Sequence, residues 1–93
     1  MTDKLENVVL VGNKPPMTYT TSIITAFTIH DEFIVKARGR SISLAVDTVE
    51  ILRRRFMKDI EVKSVKIGTG DLKTRDGTLK PISTIEVILT RGS

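Results

Sequence analysis

The chain has no cysteine, no tryptophan, one histidine and only four aromatic residues among 93. Lack of cysteine excludes a disulfide framework, a thiol nucleophile and a thiolate metal site, and suits a reducing compartment. The one histidine, His30, sits in a turn beside Asp31 and Glu32. Metal binding or general-base work wants a further ligand or partner there, and the sequence signals none, so His30 reads as a surface residue. No apolar run approaches the ~18 residues of a membrane span. Asp3 and Glu6 stand where a secretory leader is basic, which argues against a leader and for a cytoplasmic location. No phosphate loop is present either: Gly68-Thr69-Gly70 lacks the Gly-Lys-Ser/Thr ending and a helix to follow. Ser41 and Ser43 have no base within sight. An enzyme, a cofactor, a metal and a small-molecule substrate are therefore all unexpected.

The scarcity of aromatics also bears on binding. Proteins that read single strands by stacking carry an array of them on a sheet face. Here Phe27 and Phe33 read as core. Phe56, directly after three arginines at a helix end, is either a core cap or an association contact.

What the chain does have is basic charge in one region. Fifteen Lys and Arg face eleven Asp and Glu, for a net +4. Between Lys36 and Lys80 there are twelve cations and six acids, so that stretch alone carries +6 and the remainder is slightly acidic. Such asymmetry points to a polyanionic partner. Apolar content of 40% and charged content of 28% are ordinary for a globular domain. The length fits one domain, residues 1–93, with 1–6 frayed.

Asn7–Gly12 reads as a short buried strand, closed by a loop (Asn13-Lys14-Pro15-Pro16) that no ladder can continue. Residues 17–29 are ambiguous. Tyr19, Ile23, Ala26 and Phe27 follow helical spacing, while the many β-branched residues oppose a helix; helix is slightly favoured. Tyr19, three after Pro16, points its hydroxyl to the same rim as Lys14. Glu32–Ala37 is a strand ending in Lys36-Ala37-Arg38-Gly39-Arg40. That turn presents Arg38 and Arg40 beside the start of the next helix, whose unpaired N–H groups and dipole favour a phosphate.

The helix itself is expected over 41–56, with Ser41 as N-cap and one apolar face formed by Ile42, Ala45, Val46, Val49, Leu52 and Phe56. Glu50 precedes Arg54 by four. Arg53-Arg54-Arg55 are open to two readings, a favourable helix end or a nucleic-acid contact. Residues 60–67 alternate as a strand, with a bulge or bend expected at Gly68–Gly70. Asp76-Gly77 marks a hairpin. Its far half, carrying Lys73, Arg75 and Lys80, is basic and poor in core residues, and so should project as an arm. The order β-α-β-α-β-β gives an α+β fold: a four-stranded mixed sheet, two helices on one face, and a projecting hairpin.

Several segments together resemble the Alba family, small archaeal chromatin proteins that bind DNA and RNA. They are Asn7–Gly12 leading to Lys14-Pro15, Ile34–Arg40, Ala45–Ile51 with Arg55-Phe56, and Ser83–Val87. The resemblance spans residues 7–90 and implies a helix over 17–29. It further implies a homodimer that coats and compacts double-stranded DNA and also binds RNA, placed on the chromosome within the cytoplasm. Asn13, Lys14, Tyr19, Arg38 and Arg40 would meet the backbone, and arms bearing Lys73, Arg75 and Lys80 would reach minor grooves. Phe56 would mediate dimer–dimer contact. Family members often carry two lysines before Pro15, and acetylation there weakens binding. Asn13 replaces the first, leaving Lys14 as the loop lysine open to acetylation. Two other functions stand beside this one: an RNA-dedicated ribonucleoprotein subunit, and a protein-interaction scaffold with an incidental basic face.

Overall fold

The computed structural model describes residues 6–92. The expected fraying of 1–6 therefore lies, Glu6 apart, outside the described residues. Seven elements follow in order: β1 (Val8–Val11), α1 (Pro16–Ala26), β2 (Glu32–Arg38), α2 (Ser41–Ile51), a π-helical turn (Leu52–Phe56), β3 (Ile60–Lys73) and β4 (Leu79–Arg91). The sheet order is β1-β2-β4-β3, with β1 and β2 parallel and the other pairs antiparallel. This is the expected α+β architecture.

β2 lies inside the sheet, and its alternation fixes the two faces. Phe33, Val35 and Ala37 are buried against Ile23, Ala45, Val49 and Leu52 of the helical layer. Ile34, Lys36 and Arg38 therefore point to the opposite, open face.

Helix α1 forms despite its β-branched residues because Tyr19, Thr20, Ile23 and Ala26 are buried, and packing of that face outweighs propensity. Its hydroxyls are satisfied on the preceding turn. Thr20, Ser22 and Thr25 donate to the carbonyls of Pro16, Thr18 and Thr21 at 3.0, 3.3 and 3.0 Å. Pro16 is accepted in the first turn, where its missing N–H costs nothing. The helix is shorter than the expected 17–29: it ends at Ala26, Thr28 and Ile29 form tighter turns onto Thr25 and Ala26, and the His30 N–H closes on the Ala26 carbonyl.

Two further expectations change. Ser41 is not the N-cap of α2. Arg40 holds that position in helical geometry, and no side chain caps the helix. The bulge also moves. Gly68, Thr69 and Gly70 stay in regular register with Thr84, Ser83 and Ile82, and the irregularity falls between Val62 and Ser64. Unbroken alternation would put Val62 and Val65 on opposite faces. The extra residue, Lys63, brings Val62, Val65 and Ile67 opposite Leu89, Val87 and Ile85, on the helix side.

β2 pairs with β4 only as far as Thr84. Beyond that, from Thr69↔Ser83 to Lys73↔Leu79, β3 and β4 pair with each other alone. The radius of gyration, 14.2 Å, exceeds the ~12 Å expected of a compact chain of this length, as a projecting ribbon requires. Pro81 is tolerated because its other edge has no partner strand.

Candidate nucleic-acid interface

Because β1 and β2 run parallel, with Val11 beside Ala37, the loop 12–15 and the turn 38–40 emerge at the same end of the sheet. Two side chains fix the loop through Gly12, and one of them, Ser41, ties it to the turn. The Tyr19 hydroxyl accepts the N–H of Gly12 at 2.9 Å and that of Lys14 at 3.2 Å. The Ser41 hydroxyl donates to the Gly12 carbonyl at 3.0 Å, which is the work it does in place of capping. Tyr19 is only 6% exposed, so its ring belongs to the core and its oxygen fixes the loop. With two bonds accepted, the hydroxyl keeps its own proton to donate. Asn13 and Lys14 are exposed on the loop so held, as are Arg38 and Arg40 beside it. The uncapped start of α2 lies in the same turn, with its donors and dipole directed at this rim.

The ribbon springs from that same end. Gly39 has φ of +55° and donates its N–H to the Ser83 carbonyl at 2.8 Å. A Cβ there would sit 3.0 Å from Ile82 Cδ1. The left-handed backbone favours glycine, and with Ile82 this close to it the arginine turn is seated on the root of the arm. Lys73, Arg75 and Lys80 lie exposed on the arm, away from Lys14 but on the same end of the molecule.

The arm's tip is a three-residue loop. The Thr74 N–H donates to Thr78 O at 2.8 Å, Gly77 N–H returns to Thr74 O at 3.1 Å, and Gly77 takes φ of +86°. Asp76 accepts the Thr74 hydroxyl and, at 3.1 Å, the Thr78 N–H. These bonds, the Thr74 hydroxyl foremost, lower its pKa from 3.8 to about 2. A depressed carboxyl pKa means the cap is fully present above 3.8 and lost as pH falls through about 2. Carboxyl NMR titration should therefore find the Asp76 midpoint near 2, moving back toward 3.8 in Thr74→Val. An ordinary midpoint in the unmodified protein would refute this tip geometry.

The arginines after α2 divide. Arg53 bonds the Ile60 carbonyl at 3.3 Å and lies 3.7 Å from Glu50, while Arg54 pairs with Glu50 at 3.1 Å. Arg55 and Phe56 are exposed, Phe56 at 47%. The apolar stripe of α2 is thus only half covered. Ala45, Val49 and Leu52 are buried, but Val46 is 45% exposed. On the helix side of the sheet, Val65 and Ile67 of β3 are 53% and 83% exposed. Periodicity marks these residues as apolar without revealing that the monomer leaves them open.

No three His, Asp or Glu side chains converge on a metal-sized site among the described residues. Among these residues, too, no helix is long and apolar enough to cross a membrane.

Comparison with known proteins agrees with this arrangement. Residues 7–69 match the Alba family model. The chain is 47% identical to the DNA/RNA-binding protein Alba 1 of Archaeoglobus fulgidus, over 92% of this chain and 97% of that one. It is 44% identical to the DNA/RNA-binding protein Alba of Methanococcus maripaludis, over 91% and 98% of the two chains. Among solved structures, Alba from Thermoplasma volcanium superposes with a TM-score of 0.87 at 37% identity, covering 91% of this chain and all of that one. ALBA1 from Trypanosoma brucei gives 0.75 at 25% identity, over 98% and 74%. With its sheet order, its clamped rim and its ribbon, the chain belongs to the Alba family.

Proposed function

We propose that this protein is a non-sequence-specific DNA- and RNA-binding protein that acts as a homodimer to coat and compact chromosomal DNA in the cytoplasm. One observation carries the reading: Lys14, Arg38, Arg40, the uncapped start of α2 and the root of a basic ribbon all meet at one end of the sheet. Its relatives are named DNA/RNA-binding proteins, which supports both nucleic acids as partners. The rim binds phosphates through Lys14, Arg38 and Arg40, with Asn13 and the Tyr19 hydroxyl as neutral donors. Lys73, Arg75 and Lys80 carry the contact along the arm into a minor groove. The helix beside the rim offers no base-reading face: the polar side of α2 mixes Ser43, Asp47 and Glu50. Backbone contacts position a protein without specifying sequence. Acetylation of Lys14 removes the loop's one cation and weakens binding.

The homodimer is supported by the exposed apolar side chains of Val46, Val65 and Ile67, which a second copy would cover. Phe56 mediates contact between neighbouring dimers on DNA. Accordingly, Phe56→Ala should leave affinity for a duplex one dimer long nearly intact and reduce cooperativity on long DNA. A loss of ~3 kcal/mol in folding stability would instead make Phe56 a core residue.

The direct test of function is competition among duplex DNA, single strands and structured RNA at one salt concentration. Comparable binding of duplex DNA and RNA is expected. Binding of structured RNA alone would favour a ribonucleoprotein subunit, and binding of none would leave an interaction scaffold.

A further inference from the structure

The open face of the sheet carries cations that neither the rim nor the arm accounts for. Direct cross-strand partners share a face. The register therefore sets Leu10, Lys36, Glu86 and Lys66 in one row across the four strands. Arg38, Thr84 and Gly68 form the next row. A depression of about 320 Å³ lies over both rows. At its centre Glu86 stands between two lysines, 3.7 Å from Lys36 Nζ. With strands ~4.8 Å apart, the backbones of Lys36 and Lys66 stand ~10 Å apart on either side of it. Beyond them Gly68 and Gly70 leave the face bare, and a Cβ at Gly68 would come within 3.3 Å of Thr84 Oγ1. Glycine at such places admits close approach of another backbone.

The chemistry selects the occupant. Within the depression, Lys36, Arg38 and Lys66 surround the carboxylate of Glu86. None of the four aromatic residues belongs to this face: Phe27, Phe33 and Tyr19 are buried with the helices, and Phe56 ends the π-helical turn. Unstacked bases thus find nothing to lie on, whereas a phosphate backbone finds cations and bare peptide.

We propose that the open face is a second backbone-binding surface, on which duplex phosphates continue from Arg38 across Lys36 and Lys66. Glu86 is its built-in competitor, holding Lys36 until a phosphate displaces it. The inference rests on the nucleic-acid reading above, whose own contacts lie at Lys14, Arg38, Arg40 and the arm; Lys36 and Lys66 are what the open face adds.

Glu86→Gln keeps the side-chain shape and gives up only a half-exposed ion pair, a kind that contributes little to folding. It should tighten binding to duplex DNA and duplex RNA by roughly three- to ten-fold near 0.1 M salt, and steepen the salt dependence by about one unit. Lys66→Ala should do the reverse, lowering the slope by about one. Unfolding midpoints taken on the same samples certify the fold, and Lys14→Ala serves as the rim control. If both open-face variants bind as the unmodified protein does while Lys14→Ala binds more weakly, the open-face proposal is overturned and the proposed function stands. If none of the three changes binding, both are overturned. A gain from Glu86→Gln confined to single strands would likewise overturn the duplex track.

Discussion

Replacing residues 71–81 by Asn-Gly is expected to preserve the fold and cost duplex affinity by roughly ten-fold or more at ~0.1 M salt. The cut falls at the Gly70↔Ile82 ladder pair, so a two-residue turn closes the shortened ribbon in register. Nothing in the removed segment is buried, and the unfolding midpoint should barely move. What disappears is Lys73, Arg75 and Lys80, three cations from each chain. The plot of log K against log salt should flatten by up to about 0.9 for each phosphate no longer neutralised. The rim remains, so weaker binding persists. A truncated protein that binds duplex as tightly as the intact one would reduce the ribbon to a connector.

The second large effect concerns assembly. Ile67 is 83% exposed in the single chain, so Ile67→Asp should fold as well as the unmodified protein. In a two-fold dimer the change counts twice. Losing the burial of two isoleucines is worth ~3–6 kcal/mol, before any cost of enclosing the carboxylates. Dissociation should be at least ~100-fold easier, and sedimentation should find a monomer at concentrations where the unmodified protein is a dimer. Nucleic-acid affinity should fall with it, because one rim and one arm would act alone. A dimer of unchanged stability would place the interface elsewhere.

These expectations show where local pattern is informative and where it is not. The alternation of Phe33, Val35 and Ala37, and the spacing of Ala45, Val49 and Leu52, both appear directly as burial. The same spacing picks out Val46 and Phe56, which the single chain leaves open. Periodicity reports which residues are apolar, not whether a neighbour covers them. Gly68 and Gly70 resemble bulge residues, yet they lie in regular ladder, and the space they leave is on the open face beside Thr84. The true bulge is visible in the sequence only as a break in parity between Val62 and Val65. Ser41 has the chemistry of a cap, but its hydroxyl finds Gly12, 29 residues away. No local rule anticipates such a partner. Spacing from Pro16 places Tyr19 at the rim, while its part in holding the loop depends on a bond to Gly12, seven residues back. The seating of the arginine turn on the arm, through Gly39 and Ser83, is likewise a tertiary contact. It joins two basic regions that are far apart in the chain.

The rim is proposed to hold the phosphate backbone and to ignore the bases. The most direct test of that proposal is the salt dependence of affinity for two duplexes of equal length and unrelated sequence, measured for the unmodified protein and for Arg40→Ala. The two duplexes should give the same affinity and the same steep slope. Arg40→Ala should weaken both equally and lower both slopes by about 0.9 for each phosphate it leaves unneutralised. A preference of ~1000-fold for one duplex, or a slope unchanged by Arg40→Ala, would contradict it.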